Sequence, residues 1–231
     1  MSKPLCLVTA PVATRSGYGA HSRDIVRSLI ALDRYDVKIW SVRWGNTPMN
    51  ALDKDDPNDI PIIERLLSQP NLSSQPELHI HVVIPNEFQP VGNYNIGVTA
   101  GIETTLCHAT WIQGLNRMDL NLVSSEHSKK VFAESNFEKV DPKTNKVAEK
   151  ISLMKPVEVL FEGGDIKKYF PKILTKHNNV LKELNNIKES FGFLVCGHWM
   201  QGELGHDRKN IGYTIKSFLE TFKNYRKSKP A

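Results

Sequence analysis

The chain has 231 residues, enough for one domain with a sizeable core or for one domain and part of another. Hydrophobic residues at 40% and charged residues at 24% exclude a disordered or low-complexity chain, and no apolar run reaches the roughly 20 residues that span a bilayer. A formal net charge of +5 suits a polyanionic partner, but its one concentration, Lys223, Arg226, Lys227 and Lys229, reads as a solvated tail.

The opening "MSKPLCLVTAPVATRSG" lacks the layout of a secretory signal, so a cytoplasmic location is expected. Cys6, Cys107 and Cys196 are odd in number and far apart, which fits small buried hydrophobes better than disulfides or a zinc site. "PLCLVTA" (Pro4–Ala10) and "DVKIWSV" (Asp36–Val42) read as strands. Between them Ile25, Val26, Leu29 and Ile30 share one helix face, which makes a β-α-β unit. In "NDIPIIERLLSQ" Asp59 can cap a helix, Pro61 suits its first turn, and Ile62, Ile63, Leu66 and Leu67 form its stripe. Strands follow at "ELHIHVVI" and "NYNIGVT", a helix within "TTLCHATWIQGLNRM", a strand at "DLNLVSS" and a helix at "SEHSKKVFAES" that Ser125 can cap.

Strands alternating with helices imply a parallel sheet covered by crossovers. The polar "VDPKTNKVAEK" reads as a turn or hairpin arm, "VEVLF" as a further strand, and "EGGDIKKYFP" as an exit from the domain. A polar linker follows, helical around Val180–Ile187. "FGFLVCG" (Phe191–Gly197) then reads as a buried strand, and Ile211, Ile215, Phe218, Leu219 and Phe222 as one face of a last helix. One strand and one helix cannot bury their own faces, so this second unit is expected to be incomplete.

Gly17 and Gly19 stand at a strand-to-helix turn, where backbone N–H groups approach an anion closely and the helix dipole favours it. A seven-residue loop, Pro11 to Gly17, precedes them, and the second strand ends in Arg43 rather than an acid, so the dinucleotide fingerprint does not fit. The alternative is a turn with no ligand. Arg208 and Lys209 fall at a helix start, where the dipole favours acids, and they suit either a phosphate or solvent. His79 and His81 share a strand face, and His198, Glu203, His206 and Asp207 share a loop, but neither set has zinc spacing. Glu103, just past a strand, can meet a sugar hydroxyl, act as a base or stabilise a helix dipole.

The order of "SGYGAHSRDIVRSL", "TAGIETTLCHATWIQGLNRMDLNLVSSEHSKKVF", "PVEVLFEGGDIKKYFP" and "FGFLVCGHW" with "DRKNIGYTIKSFLETF" resembles the GT-B glycosyltransferases, in particular the retaining group of family 4 and its group 1 relatives. That resemblance implies a Rossmann-like acceptor-side domain at residues 1–172, a linker at 173–190, and the first strand and helix of a donor-binding domain at 191–231. It also implies that Gly17, Tyr18 and Gly19 face a donor diphosphate, with Arg208 and Lys209 on its other side. Glu103, Asn116 and Asp119 border the acceptor cleft, with Glu103 the candidate catalytic residue, and Gly163, Gly164 and Asp165 form the interdomain hinge. Family members continue through a full second domain, so the chain is expected to be a truncated or split enzyme that transfers sugar poorly alone and works with a second polypeptide.

The expected reaction moves a sugar from a nucleotide diphosphate sugar to an acceptor, with no metal or other cofactor, because cations and helix N-termini offset the leaving group's charge. Retention of configuration rests on the resemblance alone. The rival is a non-catalytic acceptor-side half, or binding module, acting beside a partner chain. A reductase using NADP through Arg43 is a third reading, and nucleic acid is not expected because the basic residues lack aromatic interleaving.

Overall fold

The computed structural model describes residues 3–164, 166, 169–171, 173, 179–189, 191–197, 199, 202–207, 209–224 and 230. The chain divides into two compact units, Met1–Gly164 and Asp165–Ala231. No helix among the described residues is long and apolar enough to cross a membrane.

The first unit is a Rossmann-like α/β fold. Its elements in order are β1 (Leu5–Ala10), α1 (Gly17–Leu32), β2 (Asp36–Ser41), α2 (Ile60–Ile63), β3 (Leu78–Val82), β4 (Tyr94–Thr99), α3 (Ala109–Leu115), β5 (Leu120–Val123), α4 (Glu126–Glu134), β6 (Phe137–Val140), β7 (Val147–Ile151) and β8 (Val157–Val159). Six strands form one parallel sheet in the order β2-β1-β3-β4-β5-β8, while β6 and β7 pair as a separate antiparallel hairpin. Near-continuous apolar runs such as LCLVTA suit strands covered on both faces.

On one face Cys6, Val8 and Ala10 of β1 pack with Val26 of α1 and Ile62 of α2. Beyond the switch in strand order, α3 and α4 bury Ile112, Leu115 and Phe132 around Phe88, Met118 and Val123. Cys6 and Cys107 are buried as expected, and burial pushes the Cys6 thiol up to about 12. Cys196 is exposed, contrary to expectation, because among the described residues no strand covers the run in which it lies.

Two elements differ from the sequence pattern. The helix expected to run through Leu66 and Leu67 is the four-residue α2. The edge of β2 has unpaired backbone groups, and the chain leaves the helix to satisfy them: Ile39 N–H donates to Arg65 C=O at 2.9 Å and Leu67 N–H to Ile39 C=O at 2.8 Å. Leu66 thereby bridges Ile39 in parallel. Counting that bridge as a rudimentary strand, the order is 3-2-1-4-5-6-7 in chain numbering, that of a doubly wound sheet. In the second unit the described residues hold two helices, α5 (Asn179–Leu184) and α6 (Ile211–Phe222), and no strand. Phe191–Gly197 was expected to be a strand, but a strand needs a ladder partner, and among the described residues it has none. Phe193 instead meets Phe218 and Phe222 of α6, with ring centroids 5.8 Å away in each case.

Candidate functional site at the carboxyl edge of the sheet

The loop after β1 is closed by its own backbone and side chains. Thr14, fully buried, donates its hydroxyl to Pro11 C=O at 2.8 Å, and Arg23 donates to Val12 C=O at 2.8 Å and Thr14 C=O at 3.0 Å. Ala51 N–H donates to Ala13 C=O at 3.0 Å, tying the loop to the segment after β2. Ser16 caps α1: extended at φ −136° and ψ 166°, it accepts from Gly19 N–H at 2.9 Å. Ala20 N–H makes the next bond, to Ser16 C=O at 2.9 Å. The Gly17 and Tyr18 N–H groups therefore have no acceptor among the described residues, as the first turn of a helix leaves them.

The two glycines do different work. A Cβ at Gly19 would stand 2.3 Å from Thr14 C=O and 2.9 Å from Pro11 C=O, so this glycine lets the helix sit on the loop. A Cβ at Gly17 would meet nothing within 4 Å. Only Gly17 opens outward.

Tyr18 spans the switch in strand order. It follows β1, and its hydroxyl lies 2.9 Å from Thr99 Oγ1 and accepts from Ala100 N–H at 3.0 Å at the end of β4, so the side chain crosses the end of β3 between them. Its ring stacks on Trp44, after β2, with centroids 4.0 Å apart. Burial raises its pKa; the bonds to Thr99 and Ala100 lower it in part, and the charges of Glu162, after β8, and Glu103, after β4, raise it by less. Glu103 is exposed, in a loop laid over the start of α4: Ile102 N–H donates to Ser128 Oγ at 3.3 Å, and a Cβ at Gly101 would collide with that hydroxyl. Ser124 donates to Ala100 C=O at 2.8 Å and fixes the same turn. Gly17, Tyr18 and Glu103 thus all lie at the carboxyl edge, where open α/β sheets bind ligands.

Asn116 and Asp119 do not join them. Asp119 accepts from Asn95 N–H at 2.9 Å and Asn95 Nδ2 at 3.1 Å, at the amino ends of β4 and β5, the opposite edge of the sheet. Asn116 closes α3, donating to Ser152 C=O and accepting from Met154 N–H, each at 2.8 Å, beside a hollow of about 210 Å³ under β7. Gly163 and Gly164 are exposed and end the first unit; Asp165 lies outside the described residues.

In the second unit, the acid favoured by the start of α6 is Asp207, buried, which accepts from Ile211 N–H at 2.9 Å and Gly212 N–H at 3.4 Å. Lys209 is exposed two residues before the helix, and Arg208 lies outside the described residues. Among the described residues no three His, Cys, Asp or Glu side chains are grouped as metal ligands. Sequence reasoning missed Trp44, Thr99, Ser124 and Glu162. The signal that marks them is position alone, each following or ending a strand. Comparison with protein-family models, curated proteins and solved structures finds no match.

Proposed function

We propose that the first unit is the acceptor-side half of a glycosyltransferase that moves a sugar, with retention and without a metal, from a nucleotide diphosphate sugar to an acceptor. The observation that supports this reading is that two chemistries lie at the same edge of the sheet, around Tyr18. The Gly17 and Tyr18 amides at the positive end of α1 suit an anion, and the carboxylates of Glu103 and Glu162, whose charges reach the same phenol, suit sugar hydroxyls. A sugar nucleotide carries both groups on one molecule. In this reading Gly17 and Tyr18 hold a phosphate oxygen, and Glu103 holds or deprotonates a hydroxyl.

The test is titration of the ¹⁵N-labelled chain with uridine diphosphate and guanosine diphosphate. The expected result is a saturable shift of the Gly17 and Tyr18 amides by at least one of them, weakened about tenfold in Gly17→Pro, which removes one N–H. If neither nucleotide moves these amides, the reading fails. A second reading, a non-catalytic half that works beside a partner chain, is favoured by the second unit, whose described residues bring no strand and leave Leu194 93% exposed. Consumption of a uridine diphosphate sugar by the chain alone supports the first reading against the second.

A further inference from the structure

The sheet has a second feature at its switch in strand order, on the face away from α1. Leu7 and Thr9 of β1 alternate with the residues that pack under α1, so they point to that opposite face. The connection from the Leu66 bridge to β3 crosses this face, as a doubly wound order requires. It does so without a helix, and it carries Pro70 and Pro76. A crossover helix would fill the space beneath. Here that space is a cavity of about 410 Å³, within the ~300–1,000 Å³ range of small-molecule sites.

This connection is a strap fastened at its two ends. At one end Leu67 N–H donates to Ile39 C=O at 2.8 Å. At the other, Glu77 N–H donates to Leu5 C=O at 3.0 Å, Asn93 N–H to Pro76 C=O at 2.9 Å, and Gln75 Nε2 to Val91 C=O at 3.3 Å. Among the described residues no hydrogen bond holds residues 68–74 between them. A middle held by packing alone opens at low cost, which gives the cavity a way in.

The walls are largely apolar, with Leu7, Trp40, Val42, Leu72 and Val91 among them. Three polar side chains also line the space, and each already has a partner within the protein: His79 Nε2 lies 3.0 Å from Thr9 Oγ1, and His81 Nδ1 accepts from Gln89 N–H at 3.1 Å. Burial pushes His79 down to about 4 and His81 to about 3, so both rings are neutral at pH 7. No Asp, Glu, Lys or Arg lines the cavity, and an ion entering it would lose its water for no counter-charge. Size narrows the class further. An apolar cavity of about 150 Å³ stays dry and holds benzene, so this one has room for two or three fused rings.

We propose that this cavity binds a small neutral molecule with a body of two or three fused rings, held by apolar contact and admitted beneath the middle of the strap. The site is separate from the carboxyl-edge cluster, and its occupancy does not depend on the glycosyltransferase reading.

The test titrates the full chain at pH 7 with naphthalene and with 2-naphthoate, the same rings carrying a charge, while following the methyl resonances of the leucines and valines. The expected result is one-to-one binding of naphthalene, with the methyls of Leu7, Val42, Leu72 and Val91 moving along a single saturable isotherm. Naphthoate should bind at least tenfold more weakly. Leu72→Trp and Val91→Trp fill the cavity from two walls, and each should abolish the naphthalene shifts at Leu7 and Val42. No saturable shift in naphthalene-saturated solution, shifts confined to methyls outside the cavity, or equal affinity for naphthoate would each overturn the proposal on the parent chain alone. Undiminished binding in both tryptophan variants would overturn it as well.

Discussion

Replacing Gly17 by proline and Gly19 by alanine should have opposite effects on stability. Proline suits the first helical position because the N–H it lacks has no intrahelical partner there. Gly17 is that position, a Cβ there meets nothing within 4 Å, and the preceding Ser16 is already extended, as a residue before proline must be. Gly17→Pro should therefore stabilise the fold by about 0.4–1 kcal/mol, through a less flexible unfolded chain. Alanine at Gly19 brings a carbon to 2.3 Å from Thr14 C=O, where ordinary contact begins near 3.4 Å, so loop or helix must move by about 1 Å. The loop resists, being held by Thr14, Arg23 and Ala51. Against backbone oxygens held in place the cost lies in the upper part of the ~1–3 kcal/mol range of overpacking, about 2–3 kcal/mol, and an offset of ~1 kcal/mol from helix propensity leaves a loss of about 1–2 kcal/mol. In a chain of this length, calorimetry should read a rise of about 1–4 °C for Gly17→Pro and a fall of about 2–8 °C for Gly19→Ala. A destabilised Gly17→Pro, or a Gly19→Ala indistinguishable from the parent, refutes this division of roles.

Tyr18→Phe keeps the stack on Trp44 but removes the acceptor of Ala100 N–H and one of the two partners of the Thr99 hydroxyl, and should cost about 1 kcal/mol in urea unfolding at pH 7. The same variant should remove a phenol that ionises above pH 10 in absorbance titration of the parent. For His79 and His81 the folded-state values of about 4 and 3 lie below the ordinary 6.5, so the unfolded chain binds more protons as pH falls. Their contribution to stability is full above pH 6.5 and is lost towards the folded-state values at up to about 1.4 kcal/mol per histidine per pH unit. The urea midpoint should fall between pH 6.5 and 5, about half as steeply in His81→Gln; a flat profile in the parent speaks against buried neutral rings. Asp207→Ala should expose the Ile211 and Gly212 amides and speed their hydrogen exchange about tenfold, with Asp207→Asn recovering part of the protection.

The alternation of strand and helix patterns was enough to read the parallel sheet, because buried strands and amphipathic helices leave periodicities set by their own neighbours. Local chemistry was legible too: Ser125 caps α4, accepting from Ser128 N–H at 3.2 Å. Long-range backbone demand was not. Leu66 continues a helical stripe in sequence, but Ile39, more than twenty residues earlier, draws it to the sheet edge. Gly17 and Gly19 look alike in sequence because the difference between them is the position of Thr14 C=O, fixed only once the loop folds. The placing of Asp119 was more accessible: it directly precedes β5, and a residue before a parallel strand sits at the amino edge, away from Glu103. Chain order alone separates the two, whatever the resemblance implies for them.

One topological event accounts for both the crevice and the cavity in the first unit. Moving outward from β1 through β2 to the Leu66 bridge, the connections lie on the α1 face; returning to β3 they must cross the other. The chains leaving β1 and β3 therefore part at the carboxyl edge, and the crevice between them is what Tyr18 spans from α1 to Thr99. The same return crossing must cover Leu7, Thr9 and His79 on the far face, and a segment interrupted by Pro70 and Pro76 covers them less closely than a helix would. The crevice follows from the strand order, and any sequence with this topology would have it. The cavity does not, since a helical crossover would close it. The buried histidines beneath it are thus a property of this sequence rather than of its fold.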